Sequence, residues 1–197
     1  GPVKNTPMVS NPGSGLLSTG MQQVANRPFA LSEWMSLIPN EWTAESSPLI
    51  AMYGLGLQGW DASYAFAMNL PGYSATIHTH GPYNVNSPTQ MGLYPALARM
   101  LYRGDLQEAE IVSSRAVQID SLATGKIGFE ETVEQNRDEK SLSGEISQAA
   151  LAKGRVVVDF TETPQPLTTP ALTSDSLITA VTGELAWNIE DRGFYTI

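Results

Sequence analysis

Two short apolar segments, separated by helix-forming sequence, constrain the fold of this chain more than any other feature. Residues 28–32 (Pro-Phe-Ala-Leu-Ser) and residues 61–68 are typical of buried strands. Between them, Ser47-Pro48 is a helix-start signal, because serine caps the helix and proline fits its first turn. With the helical segments on either side, the order becomes helix, strand, helix, strand, helix. This order predicts parallel strands joined by crossover helices.

The two flanking helices are predicted from apolar periodicity. In residues 14–25 the apolar side chains fall on one helical face. A second helix-start signal, Ser87-Pro88, precedes apolar residues at the three-to-four spacing of an amphipathic helix over residues 91–101. Gly104 is expected to end this helix.

A sharp change in charge predicts a domain boundary at residue 105. Residues 1–105 carry 4 basic and 5 acidic side chains, whereas residues 106–197 carry 7 basic and 15 acidic ones. In the second half, apolar segments separated by turn signals predict a separate antiparallel β-sandwich-like module. Its strands are expected over residues 111–119, 156–160, 177–181, 185–189 and 193–197.

Composition excludes several classes of function. The net charge of −9 and the pI of about 4.6 argue against nucleic-acid phosphates or an anionic membrane surface as partners. The chain has no cysteine, which excludes disulfides, thiolate metal sites and cysteine nucleophiles. Two histidines, His78 and His80, are too few to build a metal site alone. No metal and no cofactor is therefore expected.

Glu33 is the sharpest candidate for chemistry. It directly follows the first predicted strand and precedes a long loop that contains further aromatic side chains. Barrel enzymes place their catalytic residues at the carboxyl ends of parallel strands. Glycosidases use carboxylates to attack or stabilise an oxocarbenium-like centre. The alternative is that Glu33 is an ordinary acid at a strand end, held in a salt bridge.

Four segments carry a resemblance to a known clan: residues 27–34 (Arg-Pro-Phe-Ala-Leu-Ser-Glu-Trp), 39–42 (Pro-Asn-Glu-Trp), 48–54 and 57–61. Together they resemble the closing part of retaining glycoside hydrolases with a (β/α)8 TIM barrel, whose two catalytic glutamates follow strands four and seven. The resemblance implies an α/β fold for residues 1–105, comprising the last two β/α units of that barrel. It also implies that Glu33 is the strand-seven nucleophile, and that residues 106–197 form the small β-domain that often follows such barrels.

Further side chains on the loop side of these strands are predicted to contact substrate: Trp34, Trp42, Asn69, His78, His80 and Tyr83. For Trp34 and Trp42, packing in the core is an equal alternative, and for the histidines the alternative is an exposed or loop-stabilising role. Tyr64 and Phe66 are expected to pack inside the barrel, and the alternative is that one of them, or Asn69, forms the floor of the sugar site.

Other acidic residues are assigned no chemistry. Glu41 and Glu45 are expected to be solvated or to lie at a helix N-terminus. The acidic residues between 130 and 139 are expected to form a solvated face, with calcium binding as the lesser alternative. These residues are Glu130, Glu131, Glu134, Asp138 and Glu139.

Strands one to six of such a barrel, and the glutamate that follows strand four, are absent from the 197 residues. We therefore expect this chain to be the C-terminal part of a secreted or periplasmic polysaccharide-degrading enzyme, tightly associated with the N-terminal remainder of its barrel. No nucleic acid or membrane is expected as a partner. The rival interpretation is a carbohydrate-binding or scaffolding module without turnover. Agar-type galactan, other β-galactans, β-mannan and β-glucan all stay open as ligands.

Overall fold

Small β-sheets and short helices make up the chain in a computed structural model, which describes residues 4–36, 42–67, 83, 85–136, 139–172 and 176–197. The described strands are β1 (Ala30–Trp34), β2 (Ala62–Ala65), β3 (Ile111–Gln118), β4 (Glu131–Asn136), β5 (Glu139–Gly144), β6 (Arg155–Thr161), β7 (Leu177–Thr179), β8 (Leu185–Asn188) and β9 (Gly193–Thr196). Helix α1 begins as Ser46–Pro48 and continues as a π-helix over Leu49–Leu57, and helix α2 covers Tyr94–Arg103. Short 3₁₀-helices lie at Met8–Ser10, Gly15–Gln22, Thr43–Glu45, Met91–Leu93, Ile119–Thr124 and Gln148–Ala152. Within these ranges no helix has both the length and the apolar character needed to span a membrane.

The first half contains the predicted β-α-β unit. Strands β1 and β2 pair in parallel, with Ala30 opposite Ala62, and α1 lies between them in sequence. Asp61 aligns the starts of the two strands: its carboxylate accepts the Phe29 N–H at 2.8 Å, and its own N–H donates to the Phe29 carbonyl at 2.9 Å. The prediction of parallel strands joined by a helix is therefore confirmed for residues 30–65.

Helix α1 is buried nearly all round, because its apolar residues leave no polar face. Leu49, Tyr53 and Leu57 are completely inaccessible to solvent. Gly54 allows the indole of Trp60 to lie against the helix backbone, since a Cβ at residue 54 would come within 2.6 Å of that ring. Helix α2 ends at Gly104 as expected, in the left-handed conformation with φ of 68°.

The second half differs from the expected antiparallel sandwich. Strand β3 pairs in parallel with β6, whereas β7, β8 and β9 form the expected antiparallel sheet. A parallel pair needs a long crossover. Here residues 119–154 supply it, and they include the antiparallel hairpin of β4 and β5.

That hairpin occupies the acidic stretch for which a solvated face was expected, with calcium binding as the lesser alternative. Glu130 and Glu134 are exposed, but the carboxylate of Glu131 forms an ion pair with the buried guanidinium of Arg115. Glu139 forms another with Lys4, 2.7 Å away. The acidic segment is thus partly attached to the rest of the fold, because two of its carboxylates have basic partners far away in sequence.

The two halves share one hydrophobic cluster. Tyr53 of the first half packs against Trp187 of the second, with ring centroids 4.9 Å apart, and both side chains are completely buried. The side chain of Gln58 donates to the carbonyls of Leu151 and Gly154 at 2.8 and 2.6 Å and accepts the Val156 N–H at 3.1 Å. A division into two domains at residue 105 stays a prediction, but residues on both sides of it form a continuous core.

Candidate functional site

Glu33 lies near the carboxyl end of β1, on its exposed face. Leu31 and Trp34 are buried, whereas Ser32 and Glu33 between them are exposed. The pairing register with β2 shifts between Leu31 and Trp34, as at a β-bulge. A bulge re-aims side chains at strand ends, and here two consecutive side chains face solvent. Glu33 makes no ion pair with any described residue, so the salt bridge of the alternative interpretation is not formed within those ranges.

Exposed aromatic side chains lie at the same end of the neighbouring strand. Tyr64, Phe66 and Tyr83 are 62%, 42% and 48% exposed. The Phe66 N–H donates to the Trp34 carbonyl at 2.8 Å, which places Phe66 beside the residue that follows Glu33. The rings of Phe66 and Tyr83 meet edge to face with centroids 5.6 Å apart. Tyr64 and Phe66 were expected to pack inside a barrel, but in the described structure both face solvent.

The two tryptophans predicted to contact substrate differ in position. Trp34 is only 5% exposed and packs in the hydrophobic cluster, which favours its core alternative. Trp42 is half-buried and lies directly before the 3₁₀-helix Thr43–Glu45, in the connection between β1 and α1. Asn69, His78 and His80 lie outside the described residues.

Glu45 is a residue whose role sequence reasoning missed. It was expected to be solvated or at a helix N-terminus, but its carboxylate is half-buried and accepts the N–H groups of Met8 and Val9 at 2.7 and 3.0 Å. Burial raises the pKa of Glu45 above its usual value, and the two backbone hydrogen bonds oppose that rise. No local signal predicts this role, because Met8 and Val9 are more than thirty residues away in sequence.

The raised pKa of Glu45 has a consequence for stability. A carboxyl that holds its proton more tightly in the folded state stabilises the fold most below its unfolded pKa of about 4.5, and that contribution is lost as the pH rises through the folded pKa. In urea unfolding between pH 4 and 7, the wild-type chain should therefore lose free energy of unfolding relative to Glu45→Gln as the pH rises. Exposed Glu134 is the control, since Glu134→Gln should follow the wild-type curve. A wild-type chain that instead gains stability relative to Glu45→Gln over this range would show that the native pKa is lowered.

A polar cleft of about 540 Å³ lies between the N-terminal segment and the β4–β5 hairpin, and Glu33, Trp34, Trp42 and Tyr83 are not among its lining residues. In the part of the chain that the structure describes, no group of three or more histidine, aspartate or glutamate residues is arranged to hold a metal ion.

No family model, curated protein or solved structure matches this chain. Interpretation of the site therefore depends on its own residues.

Proposed function

We propose that this chain is the C-terminal, nucleophile-bearing part of a retaining glycoside hydrolase that degrades a polysaccharide. One observation carries the proposal: an exposed carboxylate, Glu33, stands near the carboxyl end of a parallel strand, and exposed aromatic rings stand at the same end of the next strand. In α/β barrels that end of the strands forms the catalytic face. A carboxylate beside aromatic rings suits an oxocarbenium-like transition state and a sugar ring.

In this mechanism Glu33 attacks the anomeric carbon and the glycosidic oxygen leaves. A general acid supplied by the rest of the barrel protonates that oxygen. The glycosyl ester on Glu33 is then hydrolysed by water, which the same group activates as a base. Retention requires the two carboxyl groups to lie about 5–5.5 Å apart. The carboxyl group of the general acid must therefore lie at this distance from the carboxyl group of Glu33.

The pairing of β1 and β2 and an apolar groove beside them support a partner that supplies the other strands of the barrel. Within the described ranges these strands pair only with each other, and a barrel requires eight. No residue of α2 is buried. Its apolar residues Tyr94, Leu97 and Leu101 line a groove of about 440 Å³ together with Ile50 and Ala65. The proposed partner is the N-terminal remainder of the barrel, as a second chain or a cleaved piece.

The same surface supports a polysaccharide as the proposed substrate. Phe66 and Tyr83 present rings on which sugar units stack, and Trp42 lies on the connection that leaves the same strand end. A polysaccharide substrate implies a secreted or periplasmic enzyme. Galactans, mannans and glucans are the polymers to compare in turnover assays.

Covalent labelling tests the nucleophile directly. The probe is an activated 2-fluoro glycoside, used on the enzyme purified with the remainder of its barrel. We expect peptide mass mapping to find one glycosyl adduct, on the peptide that contains Glu33, because a slow second step traps the intermediate. Glu33→Gln should abolish the adduct. An enzyme that degrades polysaccharide and carries its adduct on another residue would refute the assignment.

A non-catalytic carbohydrate-binding module is the second candidate. The exposed ring pair of Phe66 and Tyr83 favours it, because sugar stacking needs no nucleophile. In that case oligosaccharide binding would be lost in Phe66→Ala and kept in Glu33→Gln. No turnover would occur in the complete polypeptide. Turnover together with an adduct on Glu33 would eliminate this candidate.

A further inference from the structure

Hydrogen bonds, linked through the covalent structure of Val9 and Glu45, join the C-terminal sheet of β7, β8 and β9 to the turn that carries Trp42. The indole Nε1–H of Trp187, on β8, donates to the Val9 carbonyl at 2.8 Å. The Val9 N–H donates to Glu45 Oε2 at 3.0 Å, and the Met8 N–H donates to Oε1 at 2.7 Å. The Glu45 N–H then donates to the Trp42 carbonyl at 3.0 Å.

The two ends of this series lie in different environments. Trp187 is completely buried against Tyr53 and Phe194, so its indole has little freedom to move. Trp42 is half-buried and lies on the connection that leaves the carboxyl end of β1. Glu45 lies between them, and both of its carboxylate oxygens are engaged by backbone N–H groups. Such charge-assisted bonds are stronger and shorter than neutral ones.

We propose that Glu45 is a positioning residue, through which the C-terminal sheet fixes the turn of Trp42 at the candidate catalytic face. Glu45 does not touch substrate. Its carboxylate holds the N–H groups of Met8 and Val9, Trp187 holds the Val9 carbonyl, and the backbone N–H of Glu45 donates to the Trp42 carbonyl. The C-terminal half thereby contributes to the geometry of the site as well as to the core. The role of Glu45 at the catalytic face rests on the proposed function, because only that proposal makes Trp42 a substrate contact. The coupling between Trp187, Glu45 and Trp42 does not rest on it.

The test uses the full 197-residue chain labelled with ¹⁵N-tryptophan, whose indole N–H groups report separately on Trp34, Trp42, Trp60 and Trp187. Single Trp→Phe variants assign the signals. In Glu45→Ala we expect the Trp42 and Trp187 signals to move, while that of Trp60, buried against Gly54, stays in place. The amides of Met8 and Val9 should exchange with solvent about tenfold faster, as expected for a lost hydrogen bond.

Two further variants distinguish the loss of the Glu45 hydrogen bonds from a general loss of packing. Glu45→Gln keeps one acceptor oxygen, so it should restore part of the shifts seen in Glu45→Ala. Ile178→Val weakens the same C-terminal sheet, where Ile178 pairs with Trp187, but it leaves the indole donor intact. It should leave the Trp42 signal unchanged.

Two outcomes would overturn the proposal. One is a Glu45→Ala chain in which the Trp42 and Trp187 signals stay in place. The other is a displacement of all the indole signals, including that of Trp60, since this would indicate a general loss of packing. Neither outcome depends on turnover, so failure here leaves the assignment of Glu33 to be decided by covalent labelling.

Discussion

Glu33→Gln should lower turnover of the assembled enzyme by roughly four to six orders of magnitude, the scale seen when a covalent nucleophile is removed. The amide keeps the size of the side chain but cannot form the glycosyl ester. Substrate should still bind, because Phe66 and Tyr83 are unchanged and both rings are exposed beside the strand end. The measurement is the initial rate of release of reducing ends from the polysaccharide. Binding of oligosaccharide is followed by calorimetry.

The matched control for Glu33 is Glu134, an exposed acid of the β4–β5 hairpin. Glu134→Gln removes the same charge and should leave turnover within about a factor of two, since surface substitutions away from a site change little. Near-normal turnover in Glu33→Gln would leave Glu33 as an ordinary acid at a strand end. Equal losses in both variants would indicate a general effect of net charge.

Gln58→Leu is expected to destabilise the fold by about 4 kcal/mol, because three buried polar groups lose their partner and each costs roughly 1–3 kcal/mol when left unsatisfied. The groups are the carbonyls of Leu151 and Gly154 and the Val156 N–H. Gln58 itself is completely buried. Since a domain of this kind has about 5–15 kcal/mol of stability, the variant should lose a large fraction of its free energy of unfolding.

Urea unfolding followed by tryptophan fluorescence measures this effect. The matched control is Gln165→Leu, since Gln165 is exposed and its side chain donates a hydrogen bond to the exposed Thr163 hydroxyl at 3.2 Å. Its midpoint should stay close to that of the wild type. If the midpoints of Gln58→Leu and Gln165→Leu agree, Gln58 does not hold the two halves together, and separate domains divided near residue 105 become the better description.

Elements whose signal is local could be predicted from the sequence. Helix α1, the parallel pair β1 and β2, and the end of α2 at Gly104 follow from apolar segments, their order along the chain and glycine conformation. The predicted serine cap at Ser47 is wrong, because α1 begins at Ser46 and the residue before it, Glu45, makes no side-chain cap hydrogen bond. The hairpin of β4 and β5 could not be predicted in this way. Most of its residues are exposed, so it lacks the alternation of apolar residues that marks a half-buried strand.

The relative direction of the paired strands β3 and β6 could not be predicted from the sequence. The sequence predicts a strand over β3 and another over β6, but it does not record that they run parallel. That direction depends on how residues 119–154 cross over, and so on packing between segments that are far apart in the chain. The same limit applies to the register shift at Ser32 and Glu33, which exists only relative to β2.

The sequence by itself singled out Glu33 as a candidate for chemistry, because its place after an apolar strand and before aromatic residues is a local pattern. Its role as a nucleophile came from the resemblance to retaining glycoside hydrolases and stays a prediction. Only the tertiary structure decided the roles of Gln58 and Glu45. Gln58 bonds to residues 93 to 98 positions away, and Glu45 to residues 36 and 37 positions away. The sequence does not show whether a polar side chain faces solvent or is hydrogen-bonded to buried backbone groups. Its energetic role is fixed by burial, since an unpaired polar group is costly only where water is excluded.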